Sequence, residues 1–337
     1  MKLFSCPHCG QRLYFENAQC LACGSIVLYD PDAVGFVLAD AGRPACANAT
    51  ECACNWVATA EGRYCRACVL NRTIPDLSIE GNRGRWIRIE AAKRRAVYTL
   101  LAYALPVEPK QSKGDEGLAF DFLAETPGAG PGGERILTGH ENGLITLNVA
   151  EADGAERERM RAEMREKYRT LLGHFRHELG HYYWDRLVRD DPARLARFRD
   201  TFGDDTTDYM EALNLHYANG APPDWQSRHI SAYAASHPWE DWAESWAHYL
   251  HIVDTLEMVD SLGFPLPPGA TPVAHADIGA MLERWLVLSE ASNSINRCMG
   301  LPDLYPFVIS DAAAAKLGAV HDLLADIRAS AERRDAA

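Results

Sequence analysis

The sequence contains one stretch with a recognisable chemistry, Leu172-Gly173-His174-Phe175-Arg176-His177-Glu178-Leu179-Gly180-His181, which ends in an H-E-x-x-H motif. On a helix, residues i and i+4 lie one turn apart on the same face, so His177 and His181 can bind one metal ion. Glu178 then lies beside that ion, where it can take a proton from a metal-bound water. The motif therefore predicts a catalytic zinc with Glu178 as general base, and we interpret His174 as a flanking residue.

A third zinc ligand is expected downstream, because a catalytic zinc takes three protein ligands and keeps one position for water. Residues 238–250 place tryptophan and alanine at helical spacing, which predicts a helix packed along one side. We interpret Glu240 as the ligand and Glu244, one turn on, as the carboxylate that orients a histidine ligand through its other ring nitrogen. The reverse assignment stays open, and His248 and His251 are weaker candidates.

The cysteines are clustered. Nine of the ten fall between Cys6 and Cys68, and Cys298 stands apart. Clustered C-x-x-C pairs are typical of metal ligands in a reducing compartment. The first cluster predicts a zinc ribbon with a purely structural zinc, held by four thiolates: Cys6, Cys9, Cys20 and Cys23.

The second cluster has five cysteines for four ligand positions. Cys65 and Cys68 form one C-x-x-C pair, and the other two ligands must come from Cys46, Cys52 and Cys54. The spacing does not decide between them. Cys46 and Cys54 are preferred because Cys54-Asn55-Trp56 begins a strand-like stretch, and Cys52 is then spare.

The chain length of 337 residues predicts two domains, or one large domain with an appendage. A linker rich in turn-forming residues is expected at 71–84, so we predict a zinc-ribbon module with two zinc sites at 1–75 and a domain with the H-E-x-x-H motif at 76–337. A net charge of −13 argues against a sequence-independent nucleic-acid binder. No stretch resembles a membrane span or an N-terminal signal, so we expect a cytoplasmic protein without a membrane partner.

The rest of the sequence predicts an α+β fold, with a mostly helical catalytic domain and a small sheet. The last predicted strand, 143–149, is expected to offer a sheet edge on which an extended substrate pairs. The predicted strands are 118–123, 135–140 and 143–149. The predicted helices are 84–105, 154–187, 192–201, 206–219, 238–262, 274–299 and 310–330.

The two motifs together resemble a known class of enzyme. His177-Glu178-x-x-His181 followed by Glu240-x-x-Ala243-Glu244 resembles the gluzincin metallopeptidases, and the E-x-x-A-E form is similar to that of the lethal-factor-type toxins. The resemblance implies that Tyr233, seven residues before Glu240, helps to stabilise the transition state. The gap between the two motifs is longer here than in those toxins.

The whole chain is similar to a bacterial family of zinc-binding metallopeptidases that carry N-terminal zinc ribbons. This resemblance implies a zincin-like catalytic domain behind the ribbons. Three tracts carry it: Cys54-Asn55-Trp56, then Pro238-Trp239-Glu240-Asp241-Trp242-Ala243-Glu244, and last Asn296-Arg297 with Gly300-Leu301-Pro302-Asp303-Leu304-Tyr305-Pro306-Phe307.

These features lead us to expect a zinc metallopeptidase that hydrolyses peptide or isopeptide bonds with a zinc-activated water. It would hold one catalytic and two structural zinc ions, act on a peptide or protein, and bind a protein partner through its ribbons rather than nucleic acid. The alternative is a ribbon module that binds protein or nucleic acid on a catalytically silent zincin-like scaffold. A zinc-sensing regulator, a third class, predicts weakly held metal in the ribbons.

Overall fold

A computed structural model describes residues 1–335 except for 41, 61, 113, 126–135, 137, 164–169 and 267–276. Its contacts divide the chain into two compact units, Met1–Arg157 and Glu158–Ala337. Helices together with small sheets confirm the predicted α+β class. The predicted domain division at residues 75 and 76 stays a prediction. Across the described part of the chain, no helix has an apolar stretch long enough to cross a lipid bilayer.

The first unit begins with two short antiparallel hairpins. Strand β1 (Phe4–Ser5) pairs with β2 (Arg12–Leu13), and β3 (Val27–Asp30) pairs with β4 (Gly35–Leu38). Aromatic rings from both hairpins and from the segments that follow pack edge to face, as such rings prefer. This aromatic core contains Phe4, Phe15, Tyr29, Phe36, Trp56 and Tyr98.

The first unit continues with the short helix α1 (Ala49–Cys52) and the long helix α2 (Asn82–Ala102). A four-stranded sheet has the order β5-β6-β8-β7, in which β6 is parallel to β5 and β8 while β7 is antiparallel to β8. Its strands are β5 (Asn71–Thr73), β6 (Ala119–Leu123), β7 (Gly139–Glu141) and β8 (Leu144–Asn148).

The predicted hairpin is present between β7 and β8. Asn142 and Gly143 connect the two strands with φ angles of 48° and 80°, as a tight two-residue hairpin turn requires. Of the predicted strand 135–140, residues 135 and 137 lie outside the described part of the chain.

The expectation that strand 143–149 offers an edge to substrate is wrong. Strand β8 lies between β6 and β7 and is hydrogen-bonded to both. Because residues 144–146 pair with β6 on one side and β7 on the other, β8 is an inner strand there and offers no free edge to an extended peptide. The mistake arises because strand order in a sheet does not follow from local sequence.

The described part of the second unit is helical. The predicted helix 154–187 consists of two helices, and residues 164–169 between them lie outside the described part, as do 274–276 at the start of another predicted helix. Predicted helix 238–262 is confirmed residue for residue. The helices are α3 (Gly154–Glu163), which contains the division between the units, α4 (Leu171–Trp184), α5 (Pro192–Phe202), α6 (Tyr209–Asn219), α7 (Pro238–Leu262), α8 (Ile278–Cys298) and α9 (Asp311–Asp335).

Helices α4 and α7 pack closely side by side. A Cβ atom on Gly180 would lie 2.9 Å from the Cα atom of Ala243, so the two backbones meet at a point where a side chain does not fit. At the same point the Trp242 indole donates a 2.9 Å hydrogen bond to the Gly180 carbonyl. This close approach brings the H-E-x-x-H face of α4 against the glutamates of α7.

Candidate metal centre

Three donor atoms from α4 and α7 meet in a small triangle. The Nε2 atoms of His177 and His181 are 3.2 Å apart, and Oε2 of Glu240 lies 3.0 Å from the first and 3.4 Å from the second. A tetrahedral zinc with bonds of about 2.0–2.1 Å separates its ligand atoms by about 3.3 Å. The three atoms therefore fit one face of a zinc coordination tetrahedron.

The protonation of the site also suits a cation. Oε1 of Glu244 accepts a 2.8 Å hydrogen bond from Nδ1 of His177. Burial acts to lower the pKa of His177, but the Glu240 and Glu244 carboxylates raise it well above its usual range, so without a metal Nε2 also carries a proton, whose place a cation would take. The buried Oε2 of Glu240 has no hydrogen-bond partner among the described residues. Burial acts to raise the pKa of Glu240, but the imidazoles of His181 and His177 hold it well below its usual range.

Tyr209 is a site residue that the sequence analysis missed. Its hydroxyl donates a 2.6 Å hydrogen bond to Oε1 of Glu240, which leaves Oε2 directed at the histidines. Burial, together with the Glu240 carboxylate, raises the pKa of Tyr209 above its usual range, so the phenol keeps its proton. No spacing rule connects residue 209 with residue 240, so the sequence offers no signal for this contact.

Glu178, the predicted general base, is buried beside the donor triangle. Its Oε1 lies 3.6 Å from Nε2 of His174, so the residue interpreted as flanking touches the predicted base. Because His174 lies one turn before Glu178 on α4, this contact follows from helix geometry.

Tyr233, the predicted transition-state residue, lies in the short turn Tyr233–Ala235, with its ring centroid 5.9 Å from that of His177. Burial and then the Glu240 carboxylate raise the pKa of Tyr233 well above its usual range, so its hydroxyl remains a proton donor. The turn is fixed by Ser231, whose hydroxyl accepts a 3.0 Å hydrogen bond from the backbone N–H of Ala234.

The weaker ligand candidates lie outside the donor triangle. Nδ1 of His248 is 2.8 Å from the Tyr305 hydroxyl, and His251 contacts the guanidinium of Arg176. Burial lowers the pKa of both, that of His248 to about 4, and the charge of Arg176 adds to the effect at His251. Both imidazoles are therefore neutral at pH 7 and bonded elsewhere.

The first cysteine cluster is assembled at the two C-x-x-C turns. The Sγ atoms of Cys6 and Cys23 are 3.8 Å apart, and those of Cys9 and Cys20 are 3.6 Å apart. A tetrahedral zinc with bonds of about 2.3 Å separates its sulfurs by about 3.8 Å. The four thiols thus have the spacing of a four-cysteine zinc site.

The second cluster brings together the preferred four cysteines. Sγ of Cys54 lies 3.6 Å from that of Cys65 and 3.8 Å from that of Cys68, and Cys46 belongs to the same buried group. These distances again match a tetrahedral zinc. The geometry thereby favours Cys46 and Cys54 over Cys52, a choice that the spacing left open.

Cys52 lies in a neighbouring group with Cys68 and Glu90. Nη1 of Arg94 is 3.9 Å from Sγ of Cys52 and 3.9 Å from Oε2 of Glu90, and Nζ of Lys93 is 2.8 Å from Oε1 of Glu90. Lys93 and Arg94 thus place two side-chain cations against Glu90, while Cys68 also belongs to the four-cysteine group. Cys52 is accounted for as a contact of Arg94, and Cys298 is exposed.

Comparison with known proteins agrees with these sites. A family model described as "Putative zinc-binding metallo-peptidase" matches residues 82–323, and a model of a zinc-ribbon domain matches residues 3–79. Proteins of Mycobacterium tuberculosis (strains H37Rv and CDC 1551) and Mycobacterium bovis, each named as uncharacterized, are 41% identical over 335 residues, which cover 97% of this chain and 96% of theirs. No solved structure matches the chain significantly.

The metallo-peptidase model covers most of the chain and includes both the H-E-x-x-H helix and the helix that carries Glu240. The zinc-ribbon model covers the two cysteine clusters. The chain therefore belongs to this family of zinc-binding metallo-peptidases and combines its peptidase domain with a zinc-ribbon domain.

Proposed function

We propose that the protein is a zinc-dependent peptidase that hydrolyses peptide or isopeptide bonds at the centre formed by His177, His181 and Glu240. The observation that carries this proposal is the donor triangle, with sides of 3.0–3.4 Å on two packed helices. Two imidazoles and one carboxylate form a typical catalytic zinc ligand set, in which zinc would displace the Nε2 proton of His177 and keep a fourth position for water.

Zinc, when bound at such a centre, lowers the pKa of a coordinated water to about 7 and polarises the substrate carbonyl. Glu178, buried next to the ligands, takes the proton of the attacking water and passes it to the leaving amine. Tyr233 keeps its proton at neutral pH and donates a hydrogen bond to the oxygen on which negative charge develops.

Two side chains hold the ligands in place. Glu244 accepts a hydrogen bond from Nδ1 of His177 and so fixes the ring orientation in which Nε2 would bind the metal. Tyr209 occupies Oε1 of Glu240, so that Oε2 serves as the ligand atom. Such partners tune affinity because each fixes the orientation of a group that binds the metal.

The ribbons carry a second part of the proposal. We assign a structural zinc to each four-cysteine group. We also expect the surface of the zinc-ribbon domain to bind a protein partner. Ten free thiols, several of them buried ligand candidates, suit the reducing interior of a cell, so we place the protein in the cytoplasm.

The test of the peptidase proposal is Glu178→Gln in the full-length, zinc-loaded protein. The change removes the base and keeps the shape of the side chain, so we expect the rate of peptide-library hydrolysis to fall by about 10²–10⁴-fold. Zinc content, measured by mass spectrometry, should stay at the wild-type value. Glu290→Gln, at an exposed position on α8, is the matched control and should leave the rate unchanged.

The silent-scaffold alternative gives a different result. If the wild-type protein loaded with zinc cleaves no member of a diverse peptide and isopeptide library, the peptidase proposal is wrong. If Glu178→Gln cleaves as fast as the wild type, Glu178 is not the base. Weak, readily exchanged metal in the ribbons would favour the zinc-sensor class.

A further inference from the structure

Helix α6 differs from the other helices near the metal centre because none of its eleven residues is buried. It is nevertheless a well-bounded helix. The Asp208 side chain accepts a 2.9 Å hydrogen bond from the N–H of Glu211 at its start, and Gly220, with φ 76°, ends it. Its half-buried residues Tyr209, Ala212, Leu213 and His216 recur at i, i+3, i+4 and i+7 and form the stripe by which the helix packs, so its exposed apolar side chains lie outside that stripe.

The same helix touches the metal centre. Tyr209, its first residue, donates to Glu240, and the ring centroid of His216, two turns later, lies 5.9 Å from that of Tyr233. The face of α6 that carries Tyr209 and His216 therefore contacts the predicted catalytic groups.

An apolar strip lies beside that face. Met210, Leu213 and Tyr217 have the spacing i, i+3, i+7 and share one side of the helix, which we call the α6 strip. Met210 is 62% and Tyr217 59% exposed, although both are large apolar side chains. With the half-buried Leu213 between them, these two exposed side chains form an apolar surface beside the predicted reaction centre, which is where binding surfaces lie.

Ring contacts connect Tyr217 with the same groups, because its ring centroid lies 5.9 Å from that of His216, which in turn lies 5.9 Å from that of Tyr233. After burial and the Glu240 carboxylate, the Tyr217 phenol is among the causes that raise the pKa of Tyr233, and it also contributes at Tyr209. The strip therefore begins next to Tyr209, which contacts Glu240, and ends next to His216, which contacts Tyr233.

We infer that the α6 strip is a wall of the substrate-binding cleft and receives an aromatic or branched aliphatic side chain of the peptide next to the scissile bond. The inference rests on the proposed function and names its substrate class. The strip carries no charge, so an apolar side chain gains by leaving water there, whereas a charged one loses hydration without a partner.

The test measures binding rather than turnover. Two zinc-binding probes, acetohydroxamate and 3-phenylpropanohydroxamate, share the hydroxamate group and differ in the apolar side chain. We expect calorimetry on the full-length, zinc-loaded protein to give the phenyl probe about tenfold tighter binding or better, since a phenyl ring buries on the order of 100 Å².

Substitutions in the α6 strip test whether its residues contact the phenyl ring of the probe. Met210→Ser and Tyr217→Ser should each reduce the preference for the phenyl probe at least about threefold, while Met210→Leu and Tyr217→Phe should keep it. Leu215→Ser is the matched control, because Leu215 is 55% exposed on the opposite side of the same helix. Since all three positions are largely exposed, we expect circular dichroism and melting temperature to stay at wild-type values.

The outcomes are distinct. Equal affinity of the two probes, or an equal loss with Leu215→Ser, would overturn the inference while the zinc peptidase proposal stands. If neither hydroxamate binds the zinc-loaded protein, the proposed metal centre is wrong and the inference falls with it.

Discussion

The two carboxylate oxygens of Glu240 have different neighbours, and individual side chains determine which oxygen is free to bind a metal. Tyr209 donates to Oε1, while Oε2 faces the Nε2 atoms of His177 and His181. A carboxylate held in this way presents one oxygen to a metal and cannot rotate without losing a short hydrogen bond to a charged group.

Tyr209→Phe tests this role. The change removes one hydrogen bond to a carboxylate, so we expect the affinity of the centre for zinc to fall by about 10–100-fold with little change in fold. Competition with a chromophoric chelator measures it. Tyr217→Phe removes an exposed hydroxyl from the same helix and serves as control. Equal zinc affinity in wild type and Tyr209→Phe would contradict the assignment.

The burial of His248 predicts how the stability of the protein depends on pH. Burial lowers its pKa to about 4, whereas an unfolded chain binds the proton near pH 6.5. Between these pH values the unfolded state binds more protons than the folded state. The contribution of His248 to the free energy of unfolding is therefore fully present above pH 6.5 and decreases as the pH falls to 4. Below pH 4 this group causes no further loss. The full effect is about 3 kcal/mol.

Urea unfolding of metal-free protein at pH 7 and pH 5 measures the effect of His248. His248→Gln keeps a hydrogen-bonding group next to Tyr305 but does not titrate, so its difference between the two pH values should be smaller. An equal difference in wild type and variant would show that other groups cause the acid sensitivity.

At the scale of elements, the site depends on how closely α4 and α7 approach. Gly180 occupies the contact point, and in Gly180→Ala the added Cβ would meet the Ala243 backbone at 2.9 Å. We expect the helices to move apart, at a cost of about 1–3 kcal/mol in the free energy of unfolding. Zinc affinity should fall as well, since His181 lies on α4 and Glu240 on α7, and the movement would separate these two ligands.

The matched control for that change is Gly318→Ala. Gly318 is a helical glycine in α9 whose added Cβ would have its nearest neighbour, in Ile278, at 4.0 Å. Alanine should stabilise this helix by about 0.5–1 kcal/mol, because it has the higher helix propensity and finds room. Thermal and urea unfolding separate the two; similar effects at both positions would mean that helix propensity, not the close contact, governs Gly180.

At the scale of the whole molecule, the three donor groups predict about three zinc ions per chain. Replacing Cys6 and Cys9 by serine, or Cys65 and Cys68, should remove one zinc each, and metal analysis by mass spectrometry measures the count. Cys52→Ser should leave the count unchanged, because Cys46, Cys54, Cys65 and Cys68 already supply four thiolates and Cys52 contacts the Arg94 guanidinium. A loss of one zinc in Cys52→Ser would place Cys52 among the ligands.

Much of the candidate site follows from local sequence. The pairing of His177 with His181, and the contact of His174 with Glu178, are consequences of the 3.6-residue helical period. The C-x-x-C turns assemble thiols in the same local way, and helix 238–262 could be placed exactly because Pro238 begins it, Gly263 ends it and apolar residues repeat between them.

Other features arise from packing between segments far apart in the chain. Oε2 of Glu240 lies against the Nε2 atoms, while Glu244 lies against Nδ1 of His177, because α4 and α7 meet at Gly180 and Ala243. Tyr209 reaches Glu240 across 31 positions, and β8 is inserted between two other strands. Short-range spacing is encoded residue by residue through backbone geometry, whereas the partners across helices and strands depend on which surfaces bury one another, and that emerges only when the whole chain folds.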